Sequence, residues 1–485
     1  MTPVISAAEK QLVQSAPATQ PTSSRGKLSS RIFGLIAAAI AASALFWFAA
    51  QRHSHEYNDA AKMEKHDQLA IMNFSRRVYN SLHTPGARFY TGTRNKMPLY
   101  PFIQALAMTP NESNDVLFSK GKTLNILMTM AGLAATALIF FRAFPIHLAA
   151  NLSLISAFSV FVYKAAYFQP DALSYFLSFG VFLLIWHLFV RGGYIAAIAC
   201  GVMLALSHYC KGTAPPMLLL FAVFYGGAHA ILLWQERRQA KTPDQSAPRR
   251  SSWHGLAETA LVIFVSLALL SPYLRESKQR FGSYFYNVNS TFYMWLDSWE
   301  DAKTFSAMYD DRHQAPNIPP DQLPSPRKYL RDHTIGQVLT RLRKGISAQF
   351  SISLHSYGYM VYLLGFAAVI LFIARREKPP ILPVLKQQPY LAAFLVAYFG
   401  GYYLLYSWYE YVGRGQRFIL GLFLPAIFTL GYCYLKFVVP SKITVPFGRT
   451  RMPLAEAFNW LTTFYCTADI VYTVSYEIVA RNGGS

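Results

Sequence analysis

Asp67 to Pro101 reads DQLAIMNFSRRVYNSLHTPGARFYTGTRNKMPLYP. It is polar and rich in turn residues, yet it stands between two long apolar runs, Ile32–Ala50 before it and one opening at about Thr123 after it. An apolar run of that length can cross a bilayer. A cleaved signal peptide has a shorter apolar core set nearer the N-terminus, so Ile32–Ala50 reads as a first membrane span. Arg25, Lys27 and Arg31 precede it and keep its N-terminal side in the cytoplasm. A membrane protein rarely needs so long a polar loop between its first two spans unless the loop does chemistry.

The rest of the chain has the same character. Of its 485 residues, 53% are hydrophobic and only 14% charged, against about 25% charged in a soluble domain. The apolar residues are bunched, the profile of a polytopic membrane protein. The formal net charge is +21. Nucleic-acid binding would need a soluble basic face, and the sequence has none. The charge instead divides between short cytoplasmic loops and long outer loops, where it can meet lipid head groups or a phosphorylated substrate. Cys200, Cys210, Cys433 and Cys466 lie in or beside apolar segments without metal-type spacing and read as packing residues.

Further spans are predicted at about Thr123–Phe141, Ile146–Tyr163, Ala172–Val190, Tyr194–His208, Ala214–Trp234, Leu256–Leu274, Tyr357–Ala374, Leu391–Trp408 and Phe418–Leu435. Tyr194–His208 is short for a span. The loops after the even-numbered spans, FRAFP, RGG, QERRQAK with PRRSS, ARREKPP and KFVVPSK, all carry Lys or Arg, as cytoplasmic loops should. The chain is therefore expected to be an all-α polytopic membrane protein of about 10–11 spans. Residues 1–30 form a disordered tail, 31–122 the first span and first outer loop, 123–274 and 357–437 membrane helices. Residues 275–356 form a second outer loop, whose aromatics Tyr284, Phe285, Tyr286, Phe292, Tyr293, Trp295 and Trp299 suggest helices at the water–lipid boundary. Within 438–485, the stretch Pro453–Val479 is either an eleventh span or an interfacial helix. Glu456, Asp469 and Glu477 favour the interfacial helix, since bare carboxylates are costly at mid-bilayer.

Several residues could carry chemistry. Asp67 opens an amphipathic pattern (Leu69, Ile71, Met72, Phe74, Val78) and is either an N-cap or a general base at the membrane surface. In TRNKMPLYP, Pro98 and Pro101 fix the backbone beside Arg94, Asn95, Lys96 and Tyr100, and the two cations suit a lipid-linked phosphate or are ordinary snorkelling residues. Lys211 in HYCKGTAPP, and Arg414 and Arg417 in YEYVGRGQRF, sit at outer span ends and need a partner such as Glu410 or an anionic ligand. Asp171 in YFQPDALSYF opens a span and could be a helix-start device only. His53, His55 and His66 with Glu56, Asp59 and Glu64 could bind a divalent metal, but lack a metal motif's spacing. No metal or other cofactor is assigned. Asn73, Asn111 and Asn289 stand in sequons on the outer side.

In order along the chain, HDQLAIMNFSRRVY, TRNKMPLYPFIQA, QPDALSYFLSF, KGTAPPMLLL and GRGQRFILGLFLPAI together resemble the GT-C superfamily of polytopic glycosyltransferases. The likeness is to its bacterial branch of protein O-mannosyltransferase and lipid A aminoarabinose transferase type. The resemblance implies a GT-C fold and transfer, with inversion, from a polyprenyl-phosphate sugar on the outer side of a bacterial inner membrane. It implies Asp67 as catalytic carboxylate and Lys96 near the donor phosphate, assisted by Lys211 and Arg417. Glycan, lipid and protein acceptors all fit. Two positions depart from the family pattern: Gln68 stands where a second acid is usual, and Asn95 where an acid precedes the Lys. Both weigh against a metal held by paired carboxylates. The competing readings are a transporter or flippase for a lipid-linked glycan, which would show broken helices or paired halves, and a non-catalytic assembly protein.

Overall fold

The computed structural model describes residues 24–55, 67–86, 92–239, 252–309, 316–377, 388–413 and 415–480. The chain is helical apart from one short hairpin. Helix α1, Ser24–His55, contains the first predicted span and begins within the segment expected to be a tail. Residues up to Trp47 form one unit, and the fold described below is built from Phe48 onward.

Two short helices follow, α2 (Asp67–His83) and α3 (Leu99–Leu106). Among the described residues, nine helices are long and apolar enough to cross a membrane. They are α4 (Asn114–Ala143), α5 (Ile146–Ala165), α6 (Asp171–Arg191), α7 (Tyr194–Lys211), α8 (Ala214–Arg238), α9 (Ser252–Phe281), α13 (Tyr359–Arg376), α14 (Pro389–Tyr409) and α15 (Ile419–Val438). Each matches one of the nine spans predicted after the first. The short candidate at Tyr194 is a full span because its helix continues through Lys211. It ends there because Gly212 adopts a left-handed φ of 68° that its lack of a side chain permits.

The second long loop holds α10 (Trp299–Ala307), α11 (Pro326–Asp332) and α12 (Ile335–His355). Its aromatics behave differently from the expectation. Tyr286, Phe292 and Tyr293 are buried with Phe305 and Tyr309 in a small core of their own, while Tyr284 and Trp299 remain exposed. The apolar surface that suits a lipid boundary lies instead on α12, where Ile335, Leu339, Phe350 and Leu354 are exposed. Arg341 of α12 is buried. It donates to Asp297 and to the carbonyls of Met294 and Trp408, and packs over the rings of Trp408, Tyr329 and Tyr411. This arginine ties the loop to the end of α14. Helix α12 itself packs closely on α14: a Cβ placed on Gly345 would stand 1.9 Å from the Ser407 carbonyl oxygen.

After α15 the chain makes the hairpin β1 (Thr444–Phe447) and β2 (Thr450–Pro453), paired antiparallel with Thr444 opposite Pro453. It ends in α16, Leu454–Tyr472, continued by a π-helical stretch to Ala480. His147 and Asn151, near the start of α5, meet Thr463 (2.9 Å) and Asn459 (3.0 Å), and Tyr163, near its end, meets Glu477, so α16 runs lengthwise beside α5 and in the same direction. Glu477 and Asp469 are each met by a tyrosine hydroxyl, from Tyr163 and Tyr362 respectively, and such bonds offset part of the cost of burying a carboxylate.

Candidate functional site

Asp67 is the first residue of α2. Gln68 beside it fixes that position: its side-chain oxygen accepts the Phe168 backbone N–H at 2.7 Å, pinning α2 to the turn between α5 and α6. The glutamine at the place of a second acid is therefore a structural strut. Asn125 closes the same turn by donating to the carbonyls of Ala165 and Tyr167. Lys96 is presented by a tight turn, with Thr93 N–H donating to the Lys96 carbonyl at 2.9 Å and Lys96 N–H donating to the Thr93 hydroxyl at 3.0 Å.

The two carboxylates are each held by two cations. Asp67 takes Lys96 Nζ on Oδ1 and an Arg417 guanidinium nitrogen on Oδ2, both at 2.8 Å. Burial pushes the Asp67 carboxyl up, but Lys96 and then Arg417 outweigh burial and hold it well below the usual carboxylate range. Asp171, buried at the start of α6, takes Lys211 Nζ at 2.6 Å and has Lys164 Nζ at 3.9 Å. Among these six groups the cations outnumber the carboxylates by two. Arg417 thus pairs with Asp67 rather than with Glu410, which accepts a hydrogen bond from Gln349.

All six line one cavity of about 1380 Å³. From the charged end it continues between α6, α7, α8 and α14 along Ser174, Ser178, Val181, Leu204, Met217, Tyr398 and Tyr402. Val181 lies ten residues beyond Asp171 on α6, about 15 Å at 1.5 Å per residue, roughly half the thickness of a hydrocarbon core. At the other side the second loop contributes Tyr293, Asp297, Trp299, Glu300 and Lys303.

The remaining sequence candidates divide. Arg94 and Asn95 line the cavity. Arg94 also bridges the two loops, donating to the Ser306 hydroxyl at 2.8 Å with its guanidinium 4.2 Å from the Tyr309 ring centre. Tyr100 is buried behind the wall, edge-on to Phe168, and is not among the lining residues. Arg414 lies outside the described residues, as do His66, Glu56, Asp59 and Glu64 of the acid–histidine cluster. Among the described residues no group of three His, Cys, Asp or Glu side chains is arranged to hold a metal.

Three lining residues escaped the sequence reading. Lys164 stands just past a predicted span in VYKAAYFQPD, the same kind of position as Lys211, and that parallel was the available signal. Tyr357 has φ of 54°, unusual for a side chain of its size, and stacks on Tyr163 at 4.5 Å. No sequence pattern encodes that. His208 lies one turn before Lys211, inside a span.

No protein-family model and no curated protein matches the chain. Among solved structures there is a likeness to the archaeal oligosaccharyltransferase AglB from Archaeoglobus fulgidus, solved with an inhibitory peptide and a dolichol-phosphate. Identity is 13% and the TM-score 0.43, over 84% of this chain and 52% of that one. The chain thus spans about half the length of the structure it matches.

Proposed function

We propose that this chain is an integral membrane glycosyltransferase of GT-C type, which moves a sugar from a polyprenyl-phosphate donor to an acceptor on the outer side of the membrane. The observation that carries the proposal is the set of Lys96, Lys164, Lys211 and Arg417 at the head of a groove that descends between spans. The groove suits a polyprenyl chain and the cations suit its phosphate.

In the reaction, an acceptor hydroxyl oxygen attacks the anomeric carbon from the face opposite the phosphate, inverting the centre. The bond from that carbon to the phosphate oxygen breaks, and its electron pair stays on the phosphate. The hydroxyl proton goes to Asp67. A phosphodiester of charge −1 thereby becomes a phosphomonoester approaching −2. The two surplus positive charges of the cluster match that final charge better than the initial one, so they stabilise the transition state more than the bound donor.

Asp67 in the free protein is a weak base, because Lys96 and Arg417 occupy both its oxygens. A donor phosphate that draws these two cations away releases the carboxylate and raises its proton affinity. Donor binding therefore prepares the base.

The test is transfer of radiolabelled sugar from a polyprenyl-phosphate donor pool by purified protein in lipid, comparing wild type with Asp67→Asn after membrane insertion of both is verified. A loss of a hundredfold or more, about 2.7 kcal/mol of barrier, supports the base. Equal transfer removes Asp67 from the mechanism. Donor-dependent flipping without transfer in the same vesicles replaces the enzyme with a transporter.

A further inference from the structure

The proposed mechanism uses Asp67, Lys96, Lys164, Lys211 and Arg417 of the cavity and leaves His208 unused. Its side chain is 2% exposed, lines the cavity, and has no hydrogen-bond partner for either ring nitrogen among the described residues. A buried polar atom left without a partner destabilises the fold, so an imidazole with two is a costly filler for a helix interior. The other lining residues with buried, unbonded side-chain atoms are Asp171, Gln416 and Arg417. Unbonded polar atoms in four lining residues of one cavity point to a ligand that bonds them.

The surroundings of His208 indicate which part of a ligand it meets. Its ring lies edge-on to Tyr273 at 5.0 Å and to Phe285 at 5.5 Å. Lys211, one turn further along, is turned to Asp171 and to the rings of Tyr175 and Phe418. The cations are thus gathered around the carboxylates, while His208 sits among aromatic walls. A neutral imidazole offers one donor and one acceptor, which two neighbouring hydroxyls satisfy, and aromatic faces pack against the C–H faces of a sugar ring. Ser207, adjacent to His208, is bonded to Thr213 at 3.1 Å and adds further uncharged hydrogen-bonding groups to the same cavity.

We infer that His208 hydrogen-bonds the hydroxyls of the transferred sugar and selects among donors by them. This rests on the transferase reading and adds to it a sugar-reading residue distinct from the phosphate-binding cations.

The experiment measures binding to wild type and to His208→Phe, both in nanodiscs, of undecaprenyl phosphate without sugar and of undecaprenyl phosphate carrying glucose, mannose, N-acetylglucosamine or 4-amino-4-deoxyarabinose. Phe keeps the aromatic packing and removes both hydrogen bonds. Both proteins should bind the sugar-free lipid within twofold of each other. His208→Phe should lose tenfold or more on the sugar that wild type prefers, and His208→Gln, which restores a donor and an acceptor, should recover part of the loss. Equal binding of that donor by wild type and His208→Phe overturns the inference, and so does an equal loss on the sugar-free lipid. A third arm uses methyl glycosides of the same sugars, which carry neither lipid nor phosphate, and reads the rise in melting temperature. If wild type binds no undecaprenyl phosphate, the transferase reading falls. A glycoside that stabilises wild type but not His208→Phe then still supports the sugar contact, and failure of every glycoside ends it.

Discussion

At the scale of single residues, the central fact is that Asp67 has two cationic partners, from chain segments far apart. Arg417 is one of the two that lower its pKa, so Arg417→Ala should raise it. For a general base, the acid limb of kcat/KM follows the pKa in the free enzyme, and that limb should therefore move to higher pH in Arg417→Ala. A pH–rate profile in lipid nanodiscs decides it, and an unmoved limb would show that Asp67 is not the titrating base. Much of this site was legible from types and positions. Asp171, Lys211 and Arg417 each stood at the end of an apolar run, and Asp67 and Lys96 in the long polar loop between the first two spans, places where a charge needs a reason. What sequence did not convey was the pairing. Whether a carboxylate faces one cation or two depends on which helix ends meet, and Arg94 looked like Lys96 until the fold turned it towards Ser306.

At the scale of elements, the close packing of α12 on α14 anchors the second loop over the cavity. Gly345→Ala would bring two backbones into collision, since the obstructing atom is the Ser407 carbonyl oxygen. The expected cost is about 3 kcal/mol or more, at the upper end of overpacking effects, seen as a lowered melting temperature in detergent. Gly336→Ala in the same helix is the control, because its added methyl would meet nothing nearer than the Thr334 hydroxyl at 3.9 Å. Stability should hold or rise slightly there. The spans were readable because length and apolarity alone make a membrane helix. The second loop was not, because aromatic residues serve a lipid boundary and a small core equally well, and only the mutual burial of Tyr286, Phe292 and Phe305 separates the two.

At the scale of the whole molecule, the lengthwise pairing of α16 with α5 carries a topological prediction. With a cytoplasmic N-terminus, ten spans before it, and α16 as an eleventh, the C-terminus should lie outside. A C-terminal alkaline phosphatase fusion should be active and a fluorescent-protein fusion dark. The reverse pattern would return α16 to the inner surface. The tyrosine partners of Glu477 and Asp469 come from α5 and α13, far off in sequence, and could not be read beside the carboxylates. The clamp on Asp67 has a similar reach: Arg417 lies 350 residues downstream. At about 5–20 residues per second of synthesis, roughly 20–70 s pass between the emergence of the carboxylate and that of its second partner. A nascent chain already threaded into the membrane therefore lacks the complete cation set for most of its own production.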